Sequence, residues 1–161
     1  MKIKMKCIPS IFALVFVALN SSQTLADDPT IKFNTDDPEM NAAIQKARAS
    51  LPKFWLKFTN HTIEEQGFNL KVRIVDDNGS EHFWCGDIDG EPAKPTCVID
   101  NEPDTVESVK MGQRIVVDPA AISDWMYTRG EKIVGGQTIK VMLPHLPSEE
   151  AKIYEGRFLD E

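Results

Sequence analysis

Apolar residues change their spacing along this chain, and each change marks an element. Met40, Ala43, Ala47 and Leu51, with Ile44 beside them, recur at helical spacing. Asp36, Asp37, Pro38 and Glu39 precede them, which supplies a cap, a first-turn proline and acids at the positive end of the helix dipole. This predicts an amphipathic helix from about Pro38 to Ser50, ended or kinked at Pro52. Phe54, Trp55, Leu56 and Phe58 are too apolar for a free loop; they either continue the helix or plug one end of the core.

From Phe68 the period becomes two. Phe68, Leu70, Val72 and Ile74 alternate with Asn69, Lys71 and Arg73, the pattern of a half-buried strand. The run Asp76–Gly79 has hairpin chemistry, and a second strand follows from about Ser80 to Ile88. The chain turns through Asp89–Pro92 into a third strand, Thr96 to Asp100. Val106 to Met111 reads as a helical turn and Gly112 to Val117 as a fourth strand. Ala120 to Tyr127 fits two patterns: Ile122, Trp125 and Met126 suit a short helix, while Ile122, Asp124 and Met126 suit a strand. The last strand is expected over Gln137 to Leu143, bounded by the Gly135 and Gly136 pair, which reads as a bend or bulge. A short helix over Ser148 to Tyr154 fits the polar tail. The expected fold class is α+β: an N-terminal helix packed on a curved antiparallel sheet of about five strands, with a partly open barrel as the curled extreme.

The segment ahead of the helix has another character. Met1 to Lys6 carries three lysines and no acid, residues 7–20 are almost wholly apolar, and residues 21–26 end in small residues at Thr24 and Ala26. That is the layout of a cleavable secretory signal peptide, with Ala26 as its last residue. The apolar run is short for a bilayer span, so no stable membrane anchor is expected after cleavage. The expected division is a signal peptide over 1–26, a flexible lead-in over 27–36, one domain over 37–147 and a tail over 148–161. The exported chain would work in the periplasm or be secreted. Losing three lysines and no acid takes its formal charge from −7 to −10. Such a surface repels nucleic acid and anionic lipid.

Cleavage also removes Cys7, leaving Cys85 and Cys97. In an oxidising compartment an even pair reads as a disulfide. The midpoint of the two lies at Glu91, inside the turn, so antiparallel strands folded about it bring the cysteines roughly opposite each other.

Five stretches together resemble a known family: Glu81–Trp84 (EHFW), Asn101–Pro103 (NEP), Gly112–Val117 (GQRIVV), Ile122–Tyr127 (ISDWMY) and Gly135–Lys140 (GGQTIK). Their order and spacing are similar to those of the bacterial domain of unknown function 2314 family, over about Met40 to Leu143. Ile122–Tyr127 is the most specific part. Gln137 departs from an expected aromatic, and Lys140 from an expected Arg. Lysine lacks the bidentate fork of arginine, which weakens any anion-binding role carried over to that position. The resemblance implies an α+β domain, often exported, without an established activity.

Candidate chemistry is sparse. The three histidines, His61, His82 and His145, are scattered without metal spacing, and no cofactor motif is present. Glu81 and Asp124 could do acid–base work with His82, yet neighbours on a regular strand point to opposite faces, which separates Glu81 from His82. His82 and Trp84 share one strand face, and Phe83 and Cys85 share the other, the expected core. His82, Trp84, Asp124, Trp125 and Tyr127 are therefore the candidate binding residues. The plainer alternatives pack Trp84 beneath the N-terminal helix and use Asp124 to cap a turn. Three functions follow. The first is a non-enzymatic binding or inhibitor-type module of the bacterial cell envelope, with an envelope protein or small ligand as partner. The second is an enzyme using Glu81, His82 or Asp124 on an envelope substrate. The third is a small-ligand sensor or carrier lined by Trp84 and Trp125.

Overall fold

The structure is a computed structural model that describes residues 2–4, 30–32 and 37–159. The expected leader and lead-in lie outside the described residues except for Lys2–Lys4 and Thr30–Lys32.

Helix α1 spans Pro38–Thr59. Asp37 caps it by accepting the Met40 N–H at 2.8 Å. Pro52 lies inside the helix and does not end it. An interior proline costs roughly 3 kcal/mol, so packing must offset the lost bond. Phe54 does this: it is fully buried and its ring meets those of Trp55, Phe58, Phe68 and Trp125 at centroid distances of 5.0–6.1 Å.

Six antiparallel strands follow: β1 (Glu65–Asp76), β2 (Gly79–Asp89), β3 (Thr96–Ile99), β4 (Arg114–Val116), β5 (Ile122–Arg129) and β6 (Lys132–Gly135). Their spatial order is β4-β3-β2-β1-β5-β6, an open sheet rather than a barrel. Helices α2 (Gln137–Met142) and α3 (Ser148–Tyr154) close the chain. The three-residue strands Lys2–Lys4 and Thr30–Lys32 pair with each other, and Lys2–Lys4 runs parallel along Glu81 and His82 of β2.

Three expectations change. Gln137–Met142 is helical, not the last strand; the buried set Thr138, Ile139 and Met142 has helical spacing. Ile122–Arg129 is a strand, which resolves the ambiguous stretch, and Lys132–Gly135 adds another, so six strands follow α1. Val106–Met111 forms bends and a turn without a helix.

The sheet has a core on each face. Ala47 and Phe54 of α1 pack with Leu70, Val72, Phe83, Cys85, Ile122, Trp125 and Tyr127 on one face. On the other face Trp84 and Ile133 pack with Met40 of α1, Ile139 and Met142 of α2, Leu146 and Tyr154. Gly135 shows how closely β6 approaches β5. Its φ is +86°, and a Cβ there would stand 2.4 Å from the Trp125 carbonyl oxygen.

Cys85 and Cys97 are joined by a disulfide with Cα atoms 5.5 Å apart. The register differs slightly from direct opposition. Cys85 faces Ile99 in the ladder, so the bridge runs diagonally across β2 and β3. The turn is centred beyond Glu91, since Asp89 faces Thr96, and a bulge between Gly86 and Asp89, with Asp87 at φ +48°, takes up one residue of the offset.

Candidate functional site

The polar side chains singled out in the sequence lie inside the molecule. Asp124 is fully buried, Tyr127 is 1% exposed, His82 4%, and Trp84 and Trp125 5% each. Trp84 belongs to one core and Trp125 to the other, so the two tryptophans stand on opposite faces of the sheet. Trp84 packs beneath α2 and the Met40 end of α1, and the buried Lys71 ammonium lies over its ring at 5.2 Å. The Trp125 indole N–H donates to the Ala47 carbonyl at 2.9 Å, which ties β5 to α1. The Tyr127 ring stacks on Phe68 at 4.8 Å, and its hydroxyl accepts from Arg129 at 3.0 Å.

Asp124 organises the second layer. Its Oδ1 accepts the Trp125 and Gln137 N–H groups at 2.8 and 3.2 Å, and its Oδ2 accepts the Thr138 N–H and hydroxyl, each at 2.7 Å. Thr138 Oγ1 in turn accepts from Lys71 Nζ at 2.9 Å. A buried carboxylate therefore holds the first turn of α2 onto the sheet, with a buried ammonium balancing its charge. Burial pushes the Asp124 carboxyl up, opposed by Lys71 and the Thr138 bonds. Burial pushes the Lys71 ammonium down to about 8, opposed by Asp124.

His82 and Glu81 diverge. His82 Nδ1 shares a hydrogen bond with Ser123 Oγ at 2.8 Å, and that hydroxyl donates to the Lys71 carbonyl at 3.1 Å. Burial, with Lys71 and Arg73 adding to it, holds the imidazole down at about 3, so it is neutral. Glu81 is also fully buried, but its carboxylate accepts the Asp104 and Thr105 N–H groups at 3.0 and 2.9 Å. It anchors the loop that follows β3. Asp76 does the same for the Glu107 and Ser108 N–H groups at 2.7 and 3.0 Å. No cleft brings Glu81, His82 and Asp124 together as acid and base.

Sequence reasoning missed Lys71, Ser123 and Thr138. A lysine on the polar side of an alternating strand reads as solvent-facing, and only the cover supplied by α2 buries it. It also missed a cleft of about 290 Å³ between α1 and α2, lined by Lys46, Ser50, Lys53, Trp125, Gln137 and Lys140 among others. Lys46, Ser50 and Lys53 fall on one helix face by their spacing, and that signal was available. Three ammonium groups suit a small oxyanion as point charges, without bidentate geometry. Among the described residues no group of three His, Cys, Asp or Glu side chains could hold a metal ion, and no helix is long and apolar enough to cross a membrane.

The profile of the bacterial domain of unknown function 2314 family, described as an uncharacterized protein conserved in bacteria, matches residues 37–158. The chain is 38% identical over 124 residues to the uncharacterized protein YegJ of Escherichia coli K12, covering 77% of this chain and 80% of the relative. It is 30% identical over 122 residues to a putative ankyrin repeat protein of Neisseria meningitidis serogroup B. That match covers 71% of this chain but 48% of the relative, so the chain spans about half the length of that protein. No solved structure matches the fold. The chain belongs to the domain of unknown function 2314 family.

Proposed function

We propose that this member of the family is a non-enzymatic binding or inhibitor-type module of the bacterial cell envelope, with an envelope protein as its partner. One observation carries the reading. The three side chains put forward for acid–base chemistry are buried and engaged in structural bonds: Asp124 with α2, Glu81 with the loop after β3, His82 with Ser123. A general acid or base must reach the proton that it transfers, and no such reach exists from these positions. The acidic exterior is left as the working surface, which favours cationic partners. The signal-peptide layout of the first 26 residues supports the envelope assignment.

The test is capture of the exported chain from periplasmic extract, followed by reverse capture on the protein retained. The reading expects one envelope protein in both directions, held against a folded acidic control of equal charge. Retention no better than that control would overturn it.

A small-ligand carrier is the second reading, favoured by the Lys46, Lys53 and Lys140 cleft. Titration with phenyl phosphate checks it. Saturable shifts of the cleft resonances that vanish in a Lys46→Gln, Lys53→Gln double variant would support it, and their absence would dismiss it.

A further inference from the structure

The outer edge of β2 changes partner along its length. Its second half, from Cys85 onward, pairs with β3. At the junction the Trp84 N–H donates to Asn101 Oδ1 at 3.1 Å, and the Trp84 carbonyl accepts the Asp100 N–H at 3.0 Å. The Asn101 side-chain amide thus stands where the peptide of a neighbouring strand would stand. These bonds show that Trp84 turns its peptide groups away from β1. Strand alternation turns those of His82, two residues earlier, the same way. The first half of this edge, Ser80–His82, has no β3 partner, and the loop reaches it through the Glu81 carboxylate, which accepts the Asp104 and Thr105 N–H groups. It carries Lys2–Lys4, parallel, with Ile3 opposite His82 and Lys2 opposite Glu81.

We infer that this half-edge is a docking site for an extended, lysine-bearing segment of a partner protein, and that the chain's own Lys2–Lys4 shows how such a segment seats. The inference rests on the binding reading and names how the contact is made. Three observations converge on it. A strand is already seated there in register, which shows that the edge accepts one. An unpaired sheet edge is a template for strand addition, where backbone bonds give affinity and flanking side chains give selection. The loop bordering the edge carries Asp100, Glu102 and Asp104, which selects a basic segment, and the seated sequence is Lys-Ile-Lys. Asn101, whose Oδ1 meets the Trp84 N–H beside this edge, has a buried Nδ2 without a hydrogen-bond partner among the described residues. A donor left in that state is costly.

Among the described side chains, both cores draw on residues from Met40 to Leu159, so a chain starting at Asp27 keeps all of them. The experiment compares the full chain with a chain starting at Asp27, by amide exchange of His82, and then adds a peptide of residues 1–6 in trans. The His82 amide should exchange at least tenfold faster in the shorter chain, and the peptide should restore protection in a saturable way. Binding should weaken several-fold from low to moderate salt. Peptide variants leave the protein untouched, so folding cannot confuse the result. Lys4→Ala keeps the backbone N–H that faces the His82 carbonyl and should bind more weakly; Lys4→Pro removes that N–H and should not bind. Equal exchange of His82 in the two chains, or equal binding of the Ala and Pro peptides, would overturn the inference. Dimerisation of the shorter chain through this edge would assign it to a second copy and would overturn it as well. Failure here removes the edge as the contact, whereas only an empty capture experiment removes the binding reading.

Discussion

Replacing Asp124 by alanine is the sharpest perturbation of the second layer. The substitution strips the acceptor from the Trp125, Gln137 and Thr138 N–H groups and from the Thr138 hydroxyl. It also leaves the Lys71 ammonium fully buried without its countercharge. Breaking a buried pair by removing one partner costs about 3–5 kcal/mol. Each orphaned donor adds to this, partly relieved where water enters. A small domain is stable by about 5–15 kcal/mol in total, so the loss is a large fraction. With a urea dependence of about 2 kcal/mol per molar, a loss of about 4 kcal/mol moves the midpoint down by about 2 M. The first region to open should be α2, seen as lost amide protection over residues 137–142. A Lys71→Met, Asp124→Leu double variant should cost much less than the sum of its single changes, because neither leaves a lone buried charge. A midpoint shift below about 0.5 M for Asp124→Ala, or simple additivity in the double variant, would refute the structural role given to this carboxylate.

Other consequences follow from the same structure. Reducing the Cys85–Cys97 bridge, or replacing both cysteines by serine, should lower stability by about 3 kcal/mol and loosen the β2–β3 hairpin first, read by differential scanning and amide exchange; unchanged melting would remove the staple from the account. Glu65 accepts the Thr62 N–H and pairs with Lys57 and Arg129, which hold its carboxyl at about 2 against burial. Its contribution is present above pH 4.5 and is lost as pH falls from 4.5 toward 2, so Glu65→Gln should flatten the acid limb of the stability profile over that window. His82 should stay neutral from pH 8 to pH 5 by NMR titration; a midpoint near 6.5 would mean that it reaches solvent. Gly135→Ala should destabilise strongly, since its Cβ meets the Trp125 carbonyl.

The parts of the fold that were legible in the sequence are those fixed by local signals. Asp37 and Pro38 start α1, the alternation from Phe68 to Ile74 writes β1, and the Asp76–Gly79 turn closes the hairpin. The separation of Glu81 from His82 also follows from strand alternation alone. What was illegible depends on distant partners. Helix α2 has no local cap; the groups that satisfy its first N–H donors come from Asp124, 13 and 14 residues earlier. Its buried face includes Thr138, so the apolar pattern there mimics a strand. Pro52 reads as a stop, and only the burial of Phe54 carries the helix through it. The candidate residues His82, Trp84, Asp124, Trp125 and Tyr127 have the chemistry of contact residues, yet covering layers on both faces of the sheet take them inside.

The central proposal is that this chain works by binding, as an exported domain whose polar core is structural. Native mass spectrometry of the chain purified from the periplasm tests it most directly. The account predicts a chain that begins at Asp27, carries the bridge as two missing hydrogens, and travels in a defined complex with one envelope protein. A chain that keeps its leader, has two alkylatable thiols and travels alone would contradict it.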